Sequence, residues 1–220
     1  MTSIDVTRRG ASVNRGLALF RAFFALLGLA ALTAQLVELV GRAGADKVGN
    51  FFSYFTIQSN IIVVLALALA AAAAWRGETS RRLDFLRGAS TVYISITGVV
   101  YSLLLTDIDV NVPLPWVNVA LHYTLPTIAA IDWLVDLPRP CIRLRGALLW
   151  LIYPALYLVY SLVRGPIVDW YPYPFLDPRT SGYGPVLVMS LVIAVAAFVF
   201  VAVAALSTKL AEPRRRRVDA

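Results

Sequence analysis

Long apolar runs alternate with short polar connections along almost the whole chain. A membrane-spanning helix needs roughly 20 mostly apolar residues, and six runs bounded by charges, proline or glycine approach or reach that length. They cover residues 17–40, 51–74, 89–105, 116–135, 147–163 and 184–206. The first run is too long for the apolar part of a cleaved signal peptide. The pattern predicts an all-α integral membrane protein with six transmembrane helices, in a single domain over residues 1–220.

The basic residues are distributed unevenly among the predicted loops. If the N-terminus lies in the cytoplasm, 16 of the 20 Lys and Arg residues fall on the cytoplasmic side. The four on the outside are Arg42, Lys47, Arg164 and Arg179. Cytoplasmic loops collect Lys and Arg, and a missed or additional span would invert every later loop. The charges therefore predict six spans with both termini in the cytoplasm.

Composition excludes several classes of protein. A hydrophobic content of 59%, a charged content of 15% and a mean hydropathy of +0.72 do not describe an ordinary soluble domain. The net charge of +7 is explained by the topology, so a membrane surface and not nucleic acid is the expected partner, including for the run Arg214–Arg217. One His and one Cys exclude an internal disulfide and a Cys/His zinc cluster. We expect no metal and no cofactor.

The preference for Arg over Lys indicates the kind of organism from which the chain comes. Only Lys47 and Lys209 are lysines among the 20 basic residues, and alanine is abundant. This bias is typical of a GC-rich bacterial genome, so we expect a multi-pass protein of a bacterial plasma membrane.

Polar residues inside the spans are costly unless they have partners, so they are the first candidates for function. Two stripes at helical spacing occur, in the third and fifth spans: Tyr93, Thr97 and Tyr101, and Tyr153, Tyr157, Tyr160 and Arg164. These side chains either fill the core and bond to one another or line a cavity that opens on the outer side. The sixth span has only Ser190 as a polar residue between 186 and 205, and is expected to face lipid.

The second and fourth spans contain the sharpest candidates. Thr56 and His122 lie five and six residues from the outer starts of these spans, which at about 1.5 Å per residue places both at similar depth. Asn60 and Asn118 each lie one turn away on the same helix faces. Pro126 removes a helical hydrogen bond near the His, and Pro154 does the same in the fifth span, so both helices should deviate from regular geometry there.

A Thr hydroxyl becomes a nucleophile when a neighbouring imidazole accepts its proton. At these residues the chain resembles the androgen-induced and androgen-dependent membrane hydrolases and their bacterial six-span relatives. The resemblance rests on Phe-Thr-Ile-Gln-Ser-Asn at 55–60, Leu-His-Tyr-Thr-Leu-Pro at 121–126 and Trp-Tyr-Pro-Tyr-Pro-Phe at 170–175. It implies a threonine hydrolase that cleaves fatty acid esters of hydroxy fatty acids, with Thr56 as the nucleophile and His122 as the base.

The substrate of such an enzyme is a membrane lipid that enters from the outer leaflet. Asn60, Asn118, Tyr101 and Tyr160 are candidate donors to the oxyanion, and Arg164 is a candidate ligand for a carboxylate. Tyr173, in the aromatic loop after the fifth span, is a further candidate for substrate binding. Asp107 or Asp109 would orient His122 if the loop after the third span folded inward.

Two other functions remain open at this stage. A transporter of a lipid or small solute predicts a polar path across both leaflets, whereas a non-catalytic membrane regulator predicts that Thr56 and His122 lie apart or face lipid. Each residue also has a purely structural explanation. The Thr56 hydroxyl would bond to the Phe52 carbonyl, and His122 would make a hydrogen bond within the bundle.

Overall fold

The computed structural model describes residues 14–106 and 114–218, with side chains through residue 211. This part of the chain is almost entirely helical and contains no strand. Its six long helices are α1 (Arg15–Ala43), α2 (Phe55–Arg76), α3 (Arg81–Leu105), α4 (115–135), α5 (Leu144–Val168) and α6 (Tyr183–Val218). Shorter helical turns are Ala45–Lys47, Val48–Phe51, Pro174–Leu176 and Pro178–Ser181. They lie in connections 44–54 and 169–182, which mark what we call the capped end of the bundle.

Five helices, α1, α2, α3, α5 and α6, are long and apolar enough to cross a membrane. Helix α4 covers the fourth predicted span but is not one of them, and Asn118, His122 and Asp132 contribute to its polar character. Large apolar side chains such as Phe23 and Leu156 are exposed on the outside of the bundle, which suits contact with lipid. The all-α class is confirmed, and the number of six spans stays a prediction.

Helix α2 begins four residues later than the predicted second span. Val48–Phe51 forms a separate short helix, and the Ser53 hydroxyl donates a hydrogen bond back to it over 2.7 Å, so the side chain competes with continued helix formation. Tyr54 is extended, with φ −75° and ψ 130°, and α2 starts at Phe55. Thr56 therefore lies in the first turn of α2, not in its second.

The helices that contain Pro126 and Pro154 change geometry just before the proline, as predicted. In α4, Ala120–Thr124 forms a π-helical turn with His122 at its centre. In α5, Leu148–Leu151 is a 3₁₀ turn. Such π-helical turns are frequent at functional sites.

The apolar core consists of two clusters. Helix α3 is central and packs against α2, α4 and α6, while α1 packs along α2. One cluster joins α2, α3, α5, α6 and the connection 169–182, and the other joins α1, α2 and α4. Phe55 belongs to the first cluster and Ile57 to the second. The start of α2, with Thr56, therefore lies between the two clusters.

A buried ion-pair network ties α1, α3 and α4 together far from the capped end. Asp132 accepts hydrogen bonds from Arg21 Nε at 2.5 Å and from Arg87 Nη2 at 2.8 Å, and all three residues are at most 4% exposed. Asp84 and Asp136 bind the same arginines at the edge of the network. Arg21 and Arg87 are two of the basic residues that the charge count assigns to the cytoplasmic side, and the structure shows them enclosed in the bundle. Asp132 supplies the charge that offsets their desolvation.

Candidate active site

Thr56 lies at the N-terminus of α2, where the first backbone N–H groups have no partner within the helix. No side chain of the N-cap residue bonds to them. The Phe55 N–H instead donates to the Tyr157 hydroxyl and the Thr56 N–H to the Tyr173 hydroxyl, each at 3.2 Å. The Thr56 Oγ1 is 3.3 Å from the same Tyr173 oxygen. Because a helix N-terminus carries a partial positive charge, negative charge that develops at the Thr56 hydroxyl is favoured here.

The Thr56 hydroxyl does not make the bond that a structural role predicts. The Phe52 carbonyl accepts from the Gln58 side-chain amide at 2.8 Å, and Thr56 Oγ1 contacts Tyr173 instead. Burial raises the pKa of the Tyr173 phenol, so the hydroxyl keeps its proton. Since its oxygen accepts the Thr56 N–H, that proton is available to Thr56 Oγ1 or to an oxygen atom bound beside it.

The tautomer of His122 follows from its hydrogen bond. Its Nδ1 is 3.2 Å from the carbonyl oxygen of Asn118, and a carbonyl only accepts, so Nδ1 carries the proton of the neutral ring. Nε2 is then the nitrogen with a free lone pair, as a general base requires. The Tyr101 ring stacks on the imidazole, with ring centroids 3.8 Å apart, and its hydroxyl accepts from the Asn118 side chain at 2.7 Å. These contacts hold the imidazole in one orientation.

Thr56 and His122 line the same cavity, which has a volume of about 320 Å³ and which we call the polar cavity. Asn60 links their helices, because its amide nitrogen donates to the Thr56 carbonyl at 2.8 Å and to the Leu121 carbonyl at 3.2 Å. No hydrogen bond joins Thr56 to His122 among the described residues. The cavity between them is thus the space in which a substrate group would contact both.

A second cavity of about 250 Å³ has almost entirely apolar walls, and we call it the apolar cavity. It lies between α2, α3, α5 and α6. Thr56, Leu105 and Tyr173 line both cavities. The candidate nucleophile therefore lies where a polar and an apolar space meet.

The polar stripe of α5 holds the segment that carries Thr56. Every member bonds to a residue between 50 and 58. Tyr153 donates to the Gln58 side chain at 2.5 Å, Tyr157 to the Ser53 carbonyl at 3.0 Å, and Arg164 to the Asn50 side chain at 2.7 Å; the Tyr160 hydroxyl is 2.8 Å from Ser53 Oγ. These contacts favour the interpretation that the stripe bonds within the core, and Tyr157 is the one member that also lines the apolar cavity.

The other predicted substrate-binding residues lie around the cavities. Neither cavity is lined by Asn60, Asn118, Tyr101, Tyr160 or Arg164. Each has a polar group that bonds within the protein. The Asn60 amide nitrogen joins two helices, Asn118 and Tyr101 fix His122, and Tyr160 and Arg164 hold the segment 50–58. Of the predicted substrate-binding residues, Tyr173 alone lines the cavities and contacts Thr56. Asp107 and Asp109 lie outside the described residues.

Several residues of the polar cavity were not predicted. Gln35 comes from the middle of α1, and Lys47 and Asn50 come from the connection 44–54. Gln35 could have been predicted from the sequence, because it is an amide in an otherwise apolar run, as Asn60 is. Lys47 and Asn50 had no such signal, because they lie in a loop whose folding over the bundle is a tertiary property.

The connection 169–182, which contains the aromatic run at 170–175, forms an ordered cap on the bundle. Asp169 ends α5 with a positive φ of 49°, and the chain then folds back over the helix. A Cβ atom on Gly165 would lie only 2.1 Å from the Tyr171 ring, so the ring occupies the space that a side chain would need. Tyr173 is 6% exposed and stacks on Phe175. The cap thereby places the Tyr173 hydroxyl within hydrogen-bond distance of Thr56.

Gly165→Ala tests this role of the cap. The added methyl must displace Tyr171, and we expect a loss of about 1–3 kcal/mol in stability together with weaker reactivity of Thr56, since Tyr173 moves with the cap. Gly146→Ala is the matched control in the same helix, because nothing lies within 4 Å of its Cβ position. Thermal unfolding of both purified variants gives the comparison, and equal melting temperatures would contradict the packing described here.

The described residues contain no group of three or more His, Cys, Asp or Glu side chains placed to hold a metal ion. Comparison of the chain with models of known protein families, with curated proteins and with solved structures finds no match.

Proposed function

We propose that this protein is an intramembrane hydrolase of lipid esters, with Thr56 as the nucleophile and His122 as the general base. One observation carries the proposal: residues far apart in sequence line one cavity, and that cavity meets an apolar one at the Thr56 side chain. The motif resemblance supports esters of the fatty acid–hydroxy fatty acid type as the substrate class. A cavity with a polar and an apolar part suits a substrate that combines a long chain with a polar ester.

The reaction divides into two steps. His122 Nε2 accepts the Thr56 proton while Oγ1 attacks the ester carbonyl; the carbon–oxygen bond to the alcohol then breaks, and the alcohol leaves with the proton from His122. In the second step His122 takes a proton from water, whose oxygen attacks the acyl-threonine. His122 then returns this proton to Thr56 Oγ1 as the bond from Oγ1 to the acyl carbon breaks and the fatty acid leaves. The Tyr173 hydroxyl and the N-terminal dipole of α2 are placed to stabilise the oxyanion of each step.

The proposal includes the topology. The chain crosses a bacterial plasma membrane six times, with both termini in the cytoplasm, in accord with the bias of its basic residues. The polar side chains of α4 do not prevent a span, because His122 and Asp132 are 4% and 3% exposed and thus shielded from lipid. The capped end then lies at the outer leaflet.

The alternatives have less support. Transport requires a path through the bundle to its other end, where the Arg21–Arg87–Asp132 network lies, and no residue of that network lines either cavity. A regulator without catalytic function requires Thr56 and His122 to lie apart or face lipid, whereas both are buried in one site. We therefore give priority to hydrolysis.

Covalent labelling tests the proposal directly. A fluorophosphonate probe should modify the purified full-length protein, and mass spectrometry should place the adduct on Thr56. His122→Gln should slow the labelling by at least tenfold, whereas Thr127→Val, at an exposed position of α4, should not. A Thr56→Ser variant should still be labelled. Labelling that survives in Thr56→Val would refute the assignment of the nucleophile.

Tyr173→Phe should lower kcat for a lipid ester by about 10²-fold, the effect typical of losing one donor to an oxyanion. The ring and its stacking on Phe175 remain, but the Thr56 N–H loses its acceptor, so we expect a loss of about 1–3 kcal/mol in stability in a protein that still folds. Tyr171→Phe is the control, since it keeps the ring that packs over Gly165 while its hydroxyl lies outside both cavities. Equal kcat values for the two variants would show that Tyr173 has no part in the reaction.

A further inference from the structure

The apolar cavity lies in a wedge between α5 and α6. Helix α6 packs closely against the first turns of α5, over 144–151, and against α3, but makes few close contacts with the rest of α5. The resulting space is lined on the α6 side by Ser190, Ile193, Ala194 and Ala197. Most large side chains of α6 are exposed, as expected for a helix that faces lipid, while this face of the helix closes a cavity.

The wedge opens sideways. Ala155 of α5 and Ala194 of α6 line the cavity and are also exposed on the surface of the bundle. Both have small side chains, so they leave a gap between the two helices. In a membrane such a gap faces the lipid chains, whereas the polar cavity opens beside Lys47 and Asn50 of the capped end.

The position of His122 decides how an ester must lie across the two cavities. The leaving alcohol needs a proton from the imidazole, and His122 lines the polar cavity but not the apolar one. The alcohol part must therefore occupy the polar cavity. The acyl part, on the other side of the carbonyl at Thr56, is left with the apolar cavity.

We infer that the wedge between α5 and α6 is the acyl-chain site of this protein, entered laterally from the membrane between Ala155 and Ala194, and that Ala197 sets the length of chain it accepts. Ile96, Leu151 and Ala197 are the lining residues of α3, α5 and α6 that lie furthest from the capped end. Ala197 is 2% exposed, so a larger side chain there shortens the site. The assignment of the two ester halves rests on the proposed function, whereas the binding of a chain in the wedge does not.

Turnover of p-nitrophenyl esters of increasing acyl length tests the length limit. Ala197→Leu should lower the ratio of kcat/KM for long esters to that for short esters by about fourfold for each methylene that no longer fits, the effect of losing one buried methylene. Ala196→Leu, one position away and outside the cavity, should keep the wild-type length profile. An unchanged profile in Ala197→Leu would overturn the assignment.

Ala155→Trp provides a second test at an exposed position, where a larger side chain should not prevent folding. By blocking the entrance to the wedge, it should slow the hydrolysis of long-chain esters at least tenfold relative to that of short-chain esters. Leu156→Trp is the control, because Leu156 is exposed but lies outside the cavity, and it should not have this effect. Equal effects of the two tryptophans would overturn lateral entry.

A binding measurement separates this inference from the proposed chemistry. A palmitic acid analogue with a diazirine on its chain should crosslink to α5 and α6 in both the wild type and Thr56→Val, since binding needs no nucleophile. Crosslinks in the wedge without any esterase activity would reject the hydrolase and retain the chain site. Esterase activity with crosslinks confined to the polar cavity would retain the hydrolase and reject the chain site.

Discussion

Thr56→Val is expected to lower kcat/KM for a lipid ester by roughly 10⁴-fold, the scale of losing a catalytic nucleophile. Valine keeps the shape of threonine but has no oxygen to attack the carbonyl, while the hydrogen bond lost to Tyr173 costs only about 1 kcal/mol of stability. The loss of activity should therefore occur in a folded protein. Thr56→Ser should retain most of the turnover, because it keeps the hydroxyl.

A substitution of His122 tests whether this residue acts together with Thr56. His122→Gln should lower kcat/KM by about 10³-fold, within the range for loss of a general base. The Thr56→Val, His122→Gln double variant should be no slower than Thr56→Val alone, since a base has no function without its nucleophile. Additive losses in the double variant would show that the two side chains act independently, and would contradict the mechanism.

Asp132→Ala is expected to have the largest effect on stability. The carboxylate accepts from Arg21 and Arg87, all of them buried, and its removal leaves two guanidinium groups with only the acids at the edge of the network. Breaking a buried ion pair from one side typically costs about 3–5 kcal/mol. We expect a large fall in the melting temperature of the solubilised protein, or failure to accumulate in membranes.

Asp136→Ala is the matched control for this network. Its side chain is 47% exposed, so water replaces part of what is lost, and the cost should stay near 1 kcal/mol. The remaining folded fraction of either variant should keep wild-type kcat/KM, because the network lines neither cavity. Equal melting temperatures for Asp132→Ala and the wild type would show that the network does not stabilise the bundle.

The candidate site could be predicted in part because two of its properties are local. Thr56 and His122 can be recognised as polar groups in apolar runs, and Pro126 predicts the irregular backbone at His122. The position of Thr56 within its helix could not be counted from the end of the apolar run, since α2 starts at Phe55 and not at residue 51. The pair is nevertheless brought to one cavity, because the connection 44–54 folds over the bundle and Asn60 joins α2 to α4.

The partners of each polar side chain could not be predicted in the same way. Asn60 and Arg164 were expected at the substrate, but their donors bond to Thr56, Leu121 and Asn50. A sequence shows that a buried polar group needs a partner, and does not show which helix supplies it. For the same reason the sequence could not show that Arg21 and Arg87 are enclosed in the bundle, where both bond to Asp132.

The sequence by itself determined the class of this protein and its chemical candidates. Apolar runs and helical periodicity depend only on neighbouring residues, and a lone His among apolar residues is visible without coordinates. The tertiary structure decided that two cavities share Thr56 as a lining residue, that the cap places the Tyr173 hydroxyl beside Thr56, and that α6 closes an apolar wedge. These features depend on how helices separate and how loops fold back, which is set by contacts between residues distant in the chain.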